Sequence, residues 1–158
     1  MWSTGMLKKP CICPACRSTH TTLVAPAAVI RSATSFADIG VLGATGMVGQ
    51  RFLALLENHP WYDVTLLAAS ANSAGQKYAD VVKGRWALKS AIPATVAGMV
   101  VRNASDVKEI AGQVDFVFCA VDMTKEETAK LEEDYARAET PVVSNNSAHR
   151  GTADVPMM

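Results

Sequence analysis

Apolar residues from Asp38 onward follow two alternating patterns, short continuous runs and runs with helical spacing. The first continuous run, IGVLGA, is followed by apolar residues that recur at helical spacing to about Asn58. This order predicts a buried strand and then an amphipathic helix. The residues predicted to form the buried face of that helix are Val48, Phe52, Leu55 and Leu56.

Four further apolar runs predict strands at residues 64–70 (VTLLAAS), 99–103 (MVVRN), 114–121 (VDFVFCAV) and 141–146 (PVVSNN). A capping box formed by Thr124 and Glu127 predicts the start of another helix. This helix is expected to bury Leu131, Tyr135 and Ala138 and to end before Pro141. Almost wholly apolar strands that alternate with helices predict an α/β fold, a Rossmann-type doubly wound parallel sheet covered on both faces.

Residues 1–37 have a different composition, with four basic residues, nine Ser or Thr and no acidic residue. We interpret them as a disordered N-terminal extension that precedes a domain at residues 38–158. A transit peptide is the alternative, and it would place the protein in mitochondria rather than in the cytoplasm. Cys13, Cys16 and His20 lie within this stretch. They provide one ligand pair without the second pair that a structural zinc site needs, so no metal is predicted.

Composition narrows the classes of partner. The chain has 158 residues, is 49% hydrophobic and carries no formal net charge, which favours a packed domain without a nucleic-acid surface or an anionic membrane surface. The longest apolar run near the start is too short to cross a bilayer. The four cysteines do not form a disulfide framework, so we expect a reducing compartment, the cytoplasm.

Three glycines between the first strand and the first helix have the spacing G-x-x-G-x-x-G, a variant of the dinucleotide-binding turn. Gly43 allows the sharp turn, Gly46 lets a pyrophosphate approach the backbone, and Gly49 lets the helix pack on the sheet. The backbone N–H groups of residues 45–48 are the expected donors. An empty tight turn is the alternative.

The end of the second strand decides which nucleotide is favoured. NAD-binding domains place an acidic residue there, but no acidic residue occurs from Val64 to Ala79. Ser70, Asn72 and Ser73 offer polar groups instead, which suit the 2′-phosphate of NADP. Ordinary turn chemistry is the alternative reading of these three residues.

The motifs GATGMVGQRF, SANSAGQKY and PVVSNNSAHRGTADVPMM together resemble the aspartate-semialdehyde dehydrogenases, in particular the branch found in archaea and fungi. The resemblance covers residues 38–158. It implies NADPH-dependent reduction of a small-molecule substrate, aspartyl-4-phosphate, to aspartate semialdehyde, on the route to threonine, methionine and lysine, by homodimers or homotetramers. N-acetyl-glutamyl-phosphate reductase is an alternative of the same architecture, and a non-catalytic NADP-sensing module is an alternative from another class.

The resemblance also implies roles for individual residues. The cofactor phosphates would lie on the glycine turn, the 2′-phosphate at the end of the second strand, the nicotinamide near the loop after the fifth strand, and the acyl phosphate on an arginine. The corresponding residues are Thr45, Gly46, Met47 and Val48 for the cofactor phosphates, Ser70, Asn72 and Ser73 for the 2′-phosphate, Ser144 and Asn145 for the nicotinamide end, and Arg150 for the acyl phosphate. Gly43 and Gly49 belong to the same cofactor-binding turn because its geometry requires them. Relatives often have an arginine in place of Asn72, which predicts weaker binding of the 2′-phosphate by this chain.

No catalytic residue is predicted within this chain. The family's nucleophile is a cysteine in a Ser-Asn-Cys motif well after DVP, and this chain ends at Met158. Cys119 lies in an apolar strand, where a buried thiol is expected to be inert. His149, beside Arg150, is expected to be an ordinary surface-loop histidine. We therefore expect the cofactor-binding part of the enzyme, inactive alone.

Overall fold

A computed structural model describes residues 36–156. Its five strands are β1 (Ala37–Leu42), β2 (Tyr62–Ala69), β3 (Arg102–Asn103), β4 (Phe116–Cys119) and β5 (Val142–Ser144). Its helices are α1 (Met47–Leu56), α2 (Tyr78–Val81), α3 (Ala94–Ala97), α4 (Val107–Ala111) and α5 (Lys125–Arg137), with a short 3₁₀ turn at Ala71–Ser73.

The strands form one parallel sheet in the order β3-β2-β1-β4-β5. The order runs outward from β1 in both directions, so the topology reverses between β1 and β4. Ligands of open α/β sheets bind outside the carboxyl ends of the strands at such a point. The predicted doubly wound parallel sheet is confirmed.

Both faces of the sheet are buried. Consecutive β1 residues illustrate this, because Val41 packs with Leu53 and Tyr78 on one face, whereas Leu42 packs with Tyr135 on the other. Helices α1, α2 and α3 contribute to the first core, and α4 and α5 contribute to the second. The unbroken apolar runs of the strands therefore have the cause that the sequence predicted, burial on two sides.

The predicted buried face of α1 is partly wrong. Phe52 and Leu56 are half-buried, but Val48 and Leu55 are exposed, the latter by 60%, whereas Leu53 is buried. The cause lies in Gly49, where an added Cβ would lie 2.2 Å from the Gly43 carbonyl oxygen. Backbone contact at this glycine turns the helix so that the row through Gly49 and Leu53 faces the sheet.

The other predicted elements occur with adjusted bounds. The strand expected at residues 99–103 pairs only at Arg102–Asn103, and the one expected at 114–121 pairs at Phe116–Cys119. The capping box is confirmed, since Thr124 Oγ1 accepts from the Glu127 N–H and the Glu127 carboxylate accepts from the Thr124 N–H.

The zinc pair and residues 1–35 of the predicted extension at residues 1–37 lie outside the described residues. β1 begins at Ala37, one residue before the predicted start of the domain. Within residues 36–156, no helix is long and apolar enough to cross a membrane. No group of three or more metal-ligating side chains occurs in that part of the chain.

Candidate dinucleotide site

The glycine turn lies between the ends of β2 and β4. The N–H groups of Gly43 and Ala44 both donate to the Ala68 carbonyl, at 2.8 and 3.1 Å. On the other side, the Ala120 N–H donates to the Leu42 carbonyl at 2.9 Å. The turn is therefore held by backbone bonds at the topological switch point of the sheet.

The three glycines of the turn differ in what surrounds them. A Cβ at Gly43 would lie 2.4 Å from the Ala120 carbonyl oxygen, and Gly43 also has a φ of +78°, which disfavours a side chain. Gly49 is equally closed by backbone. At Gly46 the nearest atom is the Gly43 carbonyl oxygen at 3.4 Å. Packing within the chain therefore requires glycine at Gly43 and Gly49 but not at Gly46, which is exposed.

The available donors of the turn differ from the prediction at one position. The Gly46 N–H is not free, because it donates to the Gly43 carbonyl at 3.0 Å and closes the turn. The N–H groups of Thr45, Met47 and Val48 have no acceptor among residues 36–156. Met47 is 70% exposed, so solvent reaches the start of α1. Three unpaired N–H groups at a helix N-terminus can bind an anion.

Two buried side chains that the sequence analysis missed contact this turn. Tyr78 donates its hydroxyl to the Ala44 carbonyl at 2.8 Å, and Gln50 donates its side-chain amide to the Thr45 carbonyl at 3.0 Å. Tyr78 was visible only as an aromatic residue in the SANSAGQKY motif. Gln50 carried no signal, because a polar residue in the first turn of a helix is usually solvated.

The three residues predicted after β2 do not share one environment. Ser70 and Asn72 are exposed, but Ser73 is buried, with 7% of its surface accessible. The Ser73 N–H donates to the Ser70 carbonyl at 2.9 Å within the 3₁₀ turn. Because β2 neighbours β1, Ser70 and the glycine turn lie at the same edge of the sheet. Binding of a 2′-phosphate by these residues remains a prediction.

The residues predicted after β5 lie beyond β4, on the other side of the switch point. Ser144 is the last residue of β5, and the Asn145 N–H donates to the Cys119 carbonyl at 3.0 Å. The exposed Arg150 donates one guanidinium N–H to the Asn145 carbonyl at 3.3 Å. The loop thus folds back on itself, and the roles of these residues remain predictions.

A buried glutamate holds this loop. Glu132, on α5, accepts from the Ser144 hydroxyl at 2.5 Å and from the Asn146 side-chain amide at 3.3 Å. One Glu132 oxygen also lies 3.8 Å from the His149 ring. The prediction of a surface-loop histidine is therefore wrong, since His149 is half-buried against α5. A sequence pattern could not have revealed this cluster, because Glu132 lies among the charged residues of an amphipathic helix.

Cys119 is buried, as predicted. Burial raises the pKa of its thiol to about 12, and the nearby Glu132 carboxylate adds to the rise. A nucleophilic cysteine needs an accessible thiolate, so Cys119 is unsuited to attack a substrate.

The family model described as "Semialdehyde dehydrogenase, NAD binding domain" matches residues 38–158. The chain belongs to this family. The aspartate-semialdehyde dehydrogenase of Methanothermobacter thermautotrophicus is 41% identical over 123 residues, which are 77% of this chain and 33% of that protein. The enzyme of that name from Saccharomyces cerevisiae is 37% identical over 119 residues, which are 75% of this chain and 31% of that protein.

A solved structure agrees with these relatives. The aspartate-semialdehyde dehydrogenase of Candida albicans, determined with NADP, superposes with a TM-score of 0.69 at 36% identity, over 77% of this chain and 33% of that one. The chain spans about a third of the length of the curated relatives it matches. The family resemblance expected from the motifs is confirmed for the nucleotide-binding domain.

Proposed function

We propose that residues 38–158 are the NADP-binding domain of an aspartate-semialdehyde dehydrogenase. The observation that carries the proposal is the open position of Gly46, next to three unpaired N–H groups at the switch point of the sheet. A glycine that the fold does not require is explained by a ligand that approaches the backbone. The NADP in the related Candida albicans structure supports the choice of ligand.

In this proposal, the loops at the carboxyl ends of β1, β2 and β5 each bind a different part of the cofactor or substrate. The N–H groups of Thr45, Met47 and Val48 bind the pyrophosphate. Ser70 and Asn72 face the 2′-phosphate, and Ser73 contributes mainly to the turn, since it is buried. Ser144 and Asn145 border the nicotinamide, and Arg150 binds the acyl phosphate with its two-pronged guanidinium. A bound nicotinamide would supply the hydride, and Ser144 and Asn145 would orient it.

We further propose that residues 1–158 alone bind NADP weakly and do not turn over substrate. The one cysteine within residues 36–156 is Cys119, which is buried and protonated at neutral pH. For the whole protein we propose a small-molecule substrate and the homodimeric or homotetrameric assembly that the resemblance implies. We also propose a cytoplasmic location, with a mitochondrial one as the alternative.

Cofactor titration tests the binding proposal. We expect NADPH to bind at least about tenfold more tightly than NADH, because charge-assisted bonds to the 2′-phosphate have no counterpart in NADH. Gly46→Val should fold normally and lose NADPH binding. Gly98→Val is the matched control, since nothing lies within 4 Å of a Cβ at that exposed glycine. Equal binding of both cofactors would contradict the NADP assignment, and unchanged binding by Gly46→Val would contradict the site.

A kinetic assay tests the proposal that residues 1–158 alone do not turn over substrate. Purified residues 1–158 should show no reduction of NADP in the presence of aspartate semialdehyde and phosphate. Turnover that Cys119→Ser abolishes would show that the roles assigned here are wrong.

A further inference from the structure

Tyr78 and Gln50 approach the glycine turn from different parts of the fold and bind two of its consecutive carbonyl groups. Tyr78 begins α2 and is fully buried, and its hydroxyl lies 2.8 Å from the Ala44 oxygen. Gln50 lies in the first turn of α1, is 1% exposed, and its Nε2 lies 3.0 Å from the Thr45 oxygen. Neither side chain is on the surface that a ligand would contact.

These bonds fix the direction of N–H groups as well as of carbonyls. In a planar trans peptide, the C=O and the following N–H point in opposite directions. The Ala44 carbonyl shares its peptide with the Thr45 N–H, one of the three unpaired donors. By holding the Ala44 oxygen inside the protein, Tyr78 directs the Thr45 N–H outward. Gln50 holds the carbonyl of the next peptide, whose Gly46 N–H donates to the Gly43 carbonyl and closes the turn.

Both side chains are themselves immobilised. The Tyr78 N–H donates to the Met99 carbonyl at 2.8 Å. Gln50 uses its remaining groups on a distant loop, since its Oε1 accepts from the Ala87 N–H at 2.8 Å and its Nε2 also donates to the Arg85 carbonyl at 3.1 Å. Burial raises the pKa of Tyr78 well above its usual range, so its hydroxyl remains a donor.

We propose that Tyr78 and Gln50 are positioning residues for the pyrophosphate of the dinucleotide, which act by holding the glycine turn, and with it the unpaired Thr45 N–H, in its binding orientation before the ligand arrives. The physical reason is preorganisation, because a turn that is already ordered loses less entropy on binding. The inference rests on the proposed function, which identifies the ligand.

A buried tyrosine on the opposite face of the sheet provides a matched control. Tyr135 is also fully buried, and its hydroxyl donates to a backbone carbonyl, that of Ala104, at 2.9 Å. Tyr78→Phe and Tyr135→Phe each remove one hydroxyl and one bond of the same kind. A purely structural role would make the two variants equivalent in ligand binding.

The experiment titrates residues 1–158 and both variants with NADP and with adenosine 2′-monophosphate, which lacks the pyrophosphate. We expect Tyr78→Phe to bind NADP about fivefold more weakly, as the loss of one hydrogen bond predicts. Its affinity for adenosine 2′-monophosphate should not change, and Tyr135→Phe should bind both ligands as the unmodified chain does. Gln50→Met should repeat the selective loss, and it carries the test if Tyr78→Phe does not fold.

Several outcomes would overturn the inference. One is that folded Tyr78→Phe or Gln50→Met binds NADP with an affinity within about twofold of that of the unmodified chain. Another is that such a variant loses as much affinity for adenosine 2′-monophosphate as for NADP. The third is that Tyr135→Phe loses as much affinity for NADP as Tyr78→Phe does. Failure of the unmodified chain to bind NADP would instead overturn the proposed function, so the two failures are distinguishable.

Discussion

The glycine turn at residues 43–49 and the loop at residues 145–150 lie at the same edge of the sheet but are held by different means. The Gly43 and Ala44 N–H groups donate to the Ala68 carbonyl, and the Ala120 N–H donates to the Leu42 carbonyl just before the turn. These backbone bonds hold the turn in place, and two of its glycines admit no side chain. The loop has one backbone bond to β4 and is otherwise held by side chains, with the buried carboxylate of Glu132 at their centre. Backbone geometry leaves a recognisable sequence pattern, whereas a side-chain cluster does not.

The largest expected effect separates the glycines within the turn. Gly43→Ala would bring a Cβ to 2.4 Å from the Ala120 oxygen at a φ of +78°, so we expect a loss of roughly 3 kcal/mol in the free energy of unfolding. Gly46→Ala should leave that free energy nearly unchanged. Urea unfolding of both variants measures the difference. Equal stabilities would show that the turn is not constrained by its backbone contacts.

The next effect concerns the loop. Glu132→Ala removes the acceptor of the Ser144 hydroxyl and the Asn146 amide, so we expect the free energy of unfolding to fall by about 2 kcal/mol. Amide hydrogen exchange at Asn145 should accelerate, while exchange in the glycine turn should not.

Glu133→Ala is the control for Glu132→Ala. Glu133 is exposed and pairs with Arg137 on the surface, so its removal should cost only a few tenths of a kcal/mol. If the two variants lose the same stability, the buried carboxylate does not hold the loop.

A smaller effect depends on pH and tests the packing between the two regions. Burial raises the pKa of Cys119 from 9.0 to about 12, so above pH 9 the unfolded chain releases a proton that the folded chain keeps. The contribution of this thiol to stability is therefore complete below pH 9 and is lost as the pH rises toward 12. At pH 10 we expect the free energy of unfolding to be lower than at pH 8 by an amount on the order of 1 kcal/mol.

Cys119→Ala lacks this titration and should lose less stability over the same range. Unfolding curves at pH 8, 9 and 10 measure both slopes. Parallel slopes would show that the thiol is not buried as the structure places it.

The smallest effect concerns the N-cap of α5, the helix that carries Glu132. Thr124 caps α5, and its hydroxyl accepts from the Glu127 N–H at 3.3 Å. Thr124→Ala should lower the free energy of unfolding by roughly 0.5–1 kcal/mol, with Thr124→Ser as the control that keeps the hydroxyl. Hydrogen exchange in the first turn of α5 should accelerate only in the alanine variant. Identical stabilities of the alanine and serine variants would show that the Thr124 hydroxyl does not cap α5.

Local order along the chain was enough to predict the fold class, the place of the glycine turn, the capping box and the burial of Cys119. Each of these depends on neighbours within a few positions, because the periodicity of apolar residues and the spacing of glycines are local properties. The same information placed the candidate residues after β2 and β5 at one edge, since parallel strands end on the same side.

Tertiary structure alone decided which groups are available. The Gly46 N–H is used within the turn, Leu53 rather than Leu55 faces the sheet, and His149 lies against α5. The Tyr78 hydroxyl reaches a carbonyl 34 positions away, and Gln50 reaches loop residues 35 and 37 positions away. Such bonds depend on how the helices and loops pack across the sheet, and side chains this far apart along the chain meet only in the packed structure, so no local periodicity encodes their contacts.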